Sequence, residues 1–304
     1  VTVVPYRQVL RANGLEFSAT RAGPVGGELV VCMHGFPDSP ATFRHQLPAL
    51  AEAGFDVVAP YLRGYEPGSQ PDDGDYDLMA LASDVVCWLD DLGVDRAHLV
   101  GHDWGAVIAY VVATHYPHRV RSAAALAIPP LARIPAAVRR VPRQFLRSWY
   151  MTWFQMPWLA ERSLAARDWR MIRRLWTAWS PSYQIDAVDW AEVKATFEQP
   201  GVGSAALAYY RQNATPPVML GFRHPRAMLE PVVGVRTLIV NGAEDGCMDR
   251  RLFGHGIRAG DFPAGVVHEE VTAAGHFVHL EHPDRVNDLL RRHLSEADSP
   301  HVGG

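Results

Sequence analysis

Two spacings of apolar residues alternate along the first part of this chain. Short, nearly continuous apolar runs occur at Glu28 to Met33, Asp56 to Pro60, Ala97 to Val100 and Ala123 to Ile128. They have the length of strands and leave no polar face for water, as strands buried on both sides do. Longer stretches with helical spacing lie between them. Ala41 to Ala53 is one. The clearest runs from Asp77 to about Leu92, where Leu78, Leu81, Val85, Val86 and Leu89 form a stripe and Asp77 is placed to cap the first turn. Strands alternating with helices predict a parallel sheet covered on both faces.

The alternation stops at Pro129-Pro130. From there to about Pro225 nothing reads as a strand; the segment is helical and arginine-rich, and holds seven of the nine tryptophans. Strand character returns at Val235 to Asn241 and Val266 to Val271, and Pro283 to Leu294 closes the chain as a helix. The pattern therefore predicts an α/β fold with a mostly parallel central sheet flanked by helices. Residues 1–130 and 226–304 would form the two parts of one core, and 131–225 a helical cap inserted between them. The tail from Asp298 to Gly304 is expected to be disordered.

Composition narrows the class. The chain has 304 residues, 48% of them apolar and 20% charged, as in ordinary globular proteins. A net charge of −4 gives no basic footprint for nucleic acid. No apolar run is long enough to span a membrane. Val1 to Leu15 lacks the charged-then-apolar pattern of a secretory signal. Cys32, Cys87 and Cys247 are few, odd in number and far apart, so neither disulfides nor a zinc site are expected, and a cytoplasmic location is the default. Lys194 is the only lysine.

The candidate chemistry starts at Gly101-His102-Asp103-Trp104-Gly105, between a predicted strand and the Ala-rich run Ala106 to Ala113. Strand, glycine turn and helix are the setting of a nucleophile elbow, with aspartate where serine is usual. A carboxylate is ionised at neutral pH and needs no base to attack, which favours displacement at an sp³ carbon over ester or peptide hydrolysis. The resulting ester must then be hydrolysed. That step needs an oxyanion hole, for which the Trp104 N–H and the Phe36 N–H of His34-Gly35-Phe36-Pro37 are candidates. It also needs a base, and His276 in Gly275-His276-Phe277 follows the last predicted strand. Asp245 is the first choice to orient that base, with Glu244 and Asp249 as alternatives. The order nucleophile, acid, histidine is that of the α/β-hydrolases.

Over essentially its whole length the chain resembles the α/β-hydrolase superfamily. Within it the motifs around Phe36, Asp103 and His276 are similar to those of the epoxide hydrolases. The resemblance extends to the cap. Trp149-Tyr150-Met151-Thr152-Trp153-Phe154-Gln155-Met156-Pro157 looks like the segment carrying a first ring-opening tyrosine, which implies that role for Tyr150. Leu207-Ala208-Tyr209-Tyr210-Arg211-Gln212-Asn213 looks like the second, and Tyr210 fits it better than Tyr209. A phenol suits the task, because it stays protonated at neutral pH and can donate to a developing alkoxide. The sequence departs from the family at Tyr61, where an aspartate is common; only a local structural difference is expected there.

Together these readings imply hydrolysis of an apolar epoxide to a vicinal diol through an aspartyl ester, with a small-molecule substrate and no cofactor. Trp149, Trp153, Phe154 and Phe277 are the expected pocket aromatics. The alternatives are a haloalkane dehalogenase, against which the donor-free side chain of Phe36 counts, and a non-catalytic ligand-binding protein of the same fold. Whether the chain forms a homodimer is left open. No metal is expected. His276, His279 and His282 recur every third residue, but a glycine loop and Pro283 interrupt helical geometry. Asp73, Asp75, Asp77 and Asp84 mimic a calcium loop, but Leu78 stands where that loop requires glycine. His34 reads as structural.

Overall fold

The structure, a computed structural model, describes residues 4–219, 221 and 230–296. Its strands are β1 (Tyr6–Ala12), β2 (Leu15–Ala22), β3 (Leu29–Met33), β4 (Asp56–Pro60), β5 (Ala97–His102), β6 (Val120–Leu126), β7 (Thr237–Gly242) and β8 (Val266–Val271). They form one sheet in the order β1-β2-β4-β3-β5-β6-β7-β8. From β4 to β8 every neighbouring pair is parallel, while β1 and β2 add an antiparallel edge. β3, β4 and β5 are buried along their whole length, as continuous apolar runs require.

The hairpin β1–β2 is the element that apolar runs did not reveal. Its residues alternate in exposure because one face is wet. The signal present was the turn: Asn13 and Gly14 both take positive φ (51 and 78), the geometry that a two-residue hairpin needs and that Asn-Gly supplies.

The core helices are α1 (Gln46–Glu52), α2 (Leu78–Asp91) and α3 (Trp104–His115). α1 is shorter than its apolar pattern suggests, because Pro40–Phe43 forms a separate 3₁₀ turn and Pro48 must sit in the first turn. Asp77 caps α2 by accepting from the Met79 N–H at 2.8 Å. α3 is buried all round between Trp104 and Ala113, so it has no polar face to give to water.

Between β6 and β7 the chain is helical: α4 (Ile134–Arg140), α5 (Arg143–Arg147), α6 (Trp149–Phe154), α7 (Leu159–Trp179), α8 (Ala187–Phe197), α9 (Val202–Asn213) and α10 (Pro216–Met219). α7 is interrupted at Ala166–Trp169, where the backbone leaves helical values. This segment is fixed to the core by buried hydrogen bonds. Trp176 Nε1 donates to the Pro37 carbonyl at 2.8 Å, and Tyr209 Oη to the Arg63 carbonyl at 2.7 Å. Arg63 is itself locked to Asp84 of α2 through two hydrogen bonds of 2.7 and 2.6 Å. The expected end of the cap at Pro225 and the tail from Asp298 lie outside the described residues. After β7 come α11 (Arg251–Gly256), α12 (Val278–Glu281) and α13 (Pro283–Ser295). α13 buries Val286, Leu289, Leu290 and Leu294 while Arg285 and Arg291 stay wet.

Sheet register is what assembles the site. Met33 lies opposite Gly101, so the loops after β3 and β5 emerge side by side although 67 residues separate Phe36 from Asp103. Gly242 of β7 lies opposite Val271 of β8, which brings the loops carrying Asp245 and His276 together. The chain reaches β4 on one side of β3 and β5 on the other. Such a switch leaves a crevice at the strands' C-terminal ends, where α/β proteins bind ligands.

Candidate active site

Asp103 sits between β5 and α3 with φ 50 and ψ −117, a strained conformation for a residue with a Cβ. The turn is possible because its neighbours are small. A Cβ on Gly105 would lie 2.0 Å from the Met33 carbonyl oxygen, and one on Gly35 would lie 2.4 Å from the Asp103 Cβ. The turn projects the Asp103 carboxylate from the end of the strand. Its Oδ1 accepts from the Phe36 N–H at 2.8 Å. The Trp104 N–H opens α3 and so has no acceptor within the helix.

The other oxygen, Oδ2, lies 3.5 Å from His276 Nε2. His276 Nδ1 is 2.9 Å from Asp245 Oδ2. Asp245 is in turn fixed by the Cys247 and Met248 N–H groups, which donate to its Oδ1 at 2.7 and 2.9 Å. All three side chains are buried. The two alternatives to Asp245 are engaged elsewhere. Glu244 accepts from the Ser182 hydroxyl. Asp249 is paired with Arg251 at 2.9 and 3.0 Å, and that bond chiefly depresses its pKa to about 2.

The electrostatics follow from this line of groups. Burial opposes a charge on His276, but Asp245 and Asp103 outweigh it and raise its pKa to about 10. Burial likewise opposes charge on Asp103, yet His276, 3.5 Å away, and the Phe36 N–H hold it below the usual carboxylate value. The resting state is therefore an anion beside a cation, with a second anion behind. Esterifying Asp103 would remove its share of the stabilisation and lower the pKa of His276.

Over the carboxylate lies a cavity lined by Asp103, Trp104, Tyr150 and Tyr210 together with aliphatic side chains such as Ile134 and Val138. Tyr150 and Tyr210 are both buried, their rings 5.8 Å apart and nearly perpendicular. Tyr150 Oη meets only the thiol of Cys247, at 3.4 Å. Among the described residues Tyr210 Oη has no hydrogen-bond partner. Burial, reinforced by the nearby Asp103, keeps both phenols well above their ordinary pKa, hence protonated. Tyr209 differs from its neighbour in that its hydroxyl is committed to the Arg63 carbonyl. The two polar amides in the wall are also spent. Gln144 bonds the Cys247 carbonyl and the Asp249 N–H, and Asn213 bonds the Leu78 N–H and the Tyr76 carbonyl.

The four expected pocket aromatics do not form this wall, which corrects the sequence reading. Trp149 is 54% exposed, and Trp153 donates its indole N–H to Ser163; both line a second groove, bordered by α5, α6, α7 and Gly246. Phe154 is buried behind the tyrosines, its ring 5.5 Å from Tyr150 and 5.1 Å from Tyr210. Phe277 stacks on Trp176 at 3.6 Å. Helix rotation decides this: α6 turns Tyr150 and Met151 toward the cavity and therefore Trp149 away. The aliphatic wall includes Leu131, Ile134 and Val138, whose helical spacing after Pro129-Pro130 was the available sign, together with Val107, Ile128 and Val218.

Other singled-out residues are engaged elsewhere. His34 Nδ1 donates to the Gly35 carbonyl and its Nε2 accepts from the Leu62 N–H, a structural use. His279 contacts Thr42, and His282 donates to the Ala273 carbonyl, so the three-residue repeat does not converge. A convergence that the sequence did not suggest is Asp38, His102 and His279, whose ligand-type atoms lie within 4.8 Å of one another. Burial raises the Asp38 pKa to about 8 and lowers that of His102 to about 3. His102 Nε2 donates to the His276 carbonyl at 3.0 Å, so this neutral cluster seats the backbone of His276.

Residues 28–283 match the alpha/beta hydrolase fold family. The chain is 38% identical over 180 residues to epoxide hydrolase A of Mycobacterium tuberculosis, covering 56% of this chain and about half, 54%, of that protein. It is 29% identical to human epoxide hydrolase 4 over 94% of this chain and 78% of that one. In three dimensions it superposes on a Bacillus megaterium epoxide hydrolase solved with an inhibitor, with a TM-score of 0.83 and 27% identity, covering 95% of this chain and 100% of the other.

Proposed function

The chain belongs to the alpha/beta hydrolase fold family, and within it we propose that it hydrolyses apolar epoxides to vicinal diols through a covalent aspartyl ester. The observation that carries this reading is one cavity lined by the Asp103 carboxylate and by two buried tyrosines, of which Tyr210 has no hydrogen-bond partner for its hydroxyl among the described residues. The likeness to named epoxide hydrolases supports epoxide hydrolysis as the reaction.

Asp103 Oδ2 attacks an epoxide carbon; Tyr150 and Tyr210 donate to the ring oxygen as the C–O bond breaks. A phenol is a sufficient acid here because the alkoxide forming against it is far more basic. The product of this step is a hydroxyalkyl ester. With Asp103 neutralised, His276 gives up its proton more readily; that proton makes good the one the phenol gave to the alkoxide, and the neutral imidazole becomes the base that activates water. Water attacks the ester carbonyl. The negative charge collects on the oxygen already held by the Phe36 N–H, with the Trp104 N–H as second donor. Asp245 holds the imidazolium that results. Collapse releases the diol and restores the carboxylate. The aliphatic wall, whose amides are all committed, favours a substrate without polar substituents near the ring.

A single turnover of a styrene-type epoxide in ¹⁸O-water tests the route. The label is expected in the Asp103 carboxylate and absent from the first diol; label in that diol would exclude the ester. A bromoalkane offered to the same protein is expected to remain unconsumed, since Phe36 brings no side-chain donor for a halide.

A further inference from the structure

The outward side of the cap has an unusual surface. Among the described residues thirteen large apolar side chains are exposed, and six of them fall between positions 145 and 159: Phe145, Leu146, Trp149, Met156, Trp158 and Leu159. The other seven are scattered valines and one tyrosine, which need no explanation. Trp158 is the extreme, 86% exposed at the turn between α6 and α7, with φ +62. An indole held in water on a strained backbone is unfavourable twice over unless something covers it.

The same surface is basic. Residues 131–179 contain ten arginines and two acidic residues, in a chain whose net charge is −4. Arg147, Arg167, Arg170 and Arg174 line one open groove together with Trp153 and two of the exposed apolar side chains, Leu146 and Trp149, so charges and apolar groups share that groove. The side chains of Arg167, Arg170 and Arg174 make no ion pair or hydrogen bond with the described residues.

We propose that this face docks on an anionic lipid bilayer. Guanidinium groups are attracted to a negative headgroup layer, tryptophans settle at the boundary between headgroups and chains, and Leu, Met and Phe side chains dip below it. No helix of the described residues is long and apolar enough to cross a membrane, so the contact is with the surface. A second copy of the chain is a poor occupant, because two arginine-rich faces would repel. α5 and α6 carry this face on one side and, through Gln144, Tyr150 and Met151, the cavity wall on the other. Docking would thus hold the cap beside the phase in which apolar molecules dissolve. The binding itself does not depend on the catalytic reading.

Cosedimentation of the full chain with vesicles is the test, using phosphatidylcholine alone or mixed with phosphatidylserine. Binding is expected only to the mixed vesicles and is expected to weaken at high salt. The triple variant Arg167→Gln, Arg170→Gln, Arg174→Gln should bind about 100-fold more weakly, roughly fivefold per arginine. Trp158→Ser should weaken binding about tenfold or less, and circular dichroism would verify that both variants are folded. Arg285→Gln with Arg291→Gln, on the solvent face of α13, should change nothing. Absence of binding to the mixed vesicles, equal binding to both vesicle types, or binding unaltered in the triple variant would overturn the proposal. So would self-association that the triple variant abolishes while vesicles have no effect.

Discussion

The sheet edge and the cap meet in one cavity with opposite electrostatics. On the sheet side, Asp103, His276 and Asp245 are arranged as alternating charges, each stabilised by a named neighbour. On the cap side, Tyr150 and Tyr210 are equally buried but neutral, and among the described residues their hydroxyls have a thiol or nothing to bond. The difference teaches how two steps can share one site. The charged side is complete before substrate arrives. The cap side is unsatisfied, and a buried donor without an acceptor costs about 1–3 kcal/mol, which an incoming ether oxygen would recover.

The sharpest way to break this comparison is to remove the carboxylate proposed as nucleophile. Asp103→Ala should lower diol formation by at least about 10⁴-fold while leaving the fold intact by circular dichroism. His276→Gln should be nearly as severe in turnover, by about 10³-fold, but for a different reason. The ester should still form and should be visible as a mass increase on the intact protein. A variant that neither turns over nor gains mass would show that His276 is needed before the ester.

The charge argument has its own measurement. The imidazole of His276, followed by NMR, should titrate near 10 in the wild type, and its pKa should fall in Asp103→Asn, because a raising neighbour is gone. The sign for stability follows. The folded pKa lies above the unfolded value of about 6.5, so the stabilisation is fully present below about pH 6.5 and is lost as pH rises through about 10.

On the cap side the effects should be smaller and paired. Tyr150→Phe and Tyr210→Phe should each slow ring opening by about 10- to 100-fold, and the double variant by more than either. Tyr209→Phe should behave differently. It loses the bond to the Arg63 carbonyl and should cost about 1 kcal/mol of stability, with less than about a threefold change in rate. The smallest effect belongs to Trp149→Ala, less than about twofold in solution, since that ring faces outward.

How much of this was legible beforehand depends on the kind of signal. Motifs tied to a backbone need were readable. The glycines at 35 and 105 are there because no Cβ fits, and they locate Asp103 and Phe36. Asp245 could not be separated from Glu244 and Asp249 by type; only the turn after β7, which directs two N–H groups to its Oδ1, sets it apart. Tyr210 and Tyr209 are adjacent and chemically identical, and the Arg63 carbonyl distinguishes them from 146 residues away. The pocket aromatics failed for a related reason: apolar character says that a side chain avoids water, not which of two clefts it faces.

The sequence by itself determined the order of elements, the interrupted sheet, the elbow with its aspartate and the histidine that follows the last strand. These depend on local spacing and on small residues that the backbone demands. The tertiary structure decided which acid meets His276, which tyrosine hydroxyl is committed to the backbone and which residues line the cavity. Each of those choices is made by a partner distant along the chain, brought within about 3 Å by strand register or helix rotation.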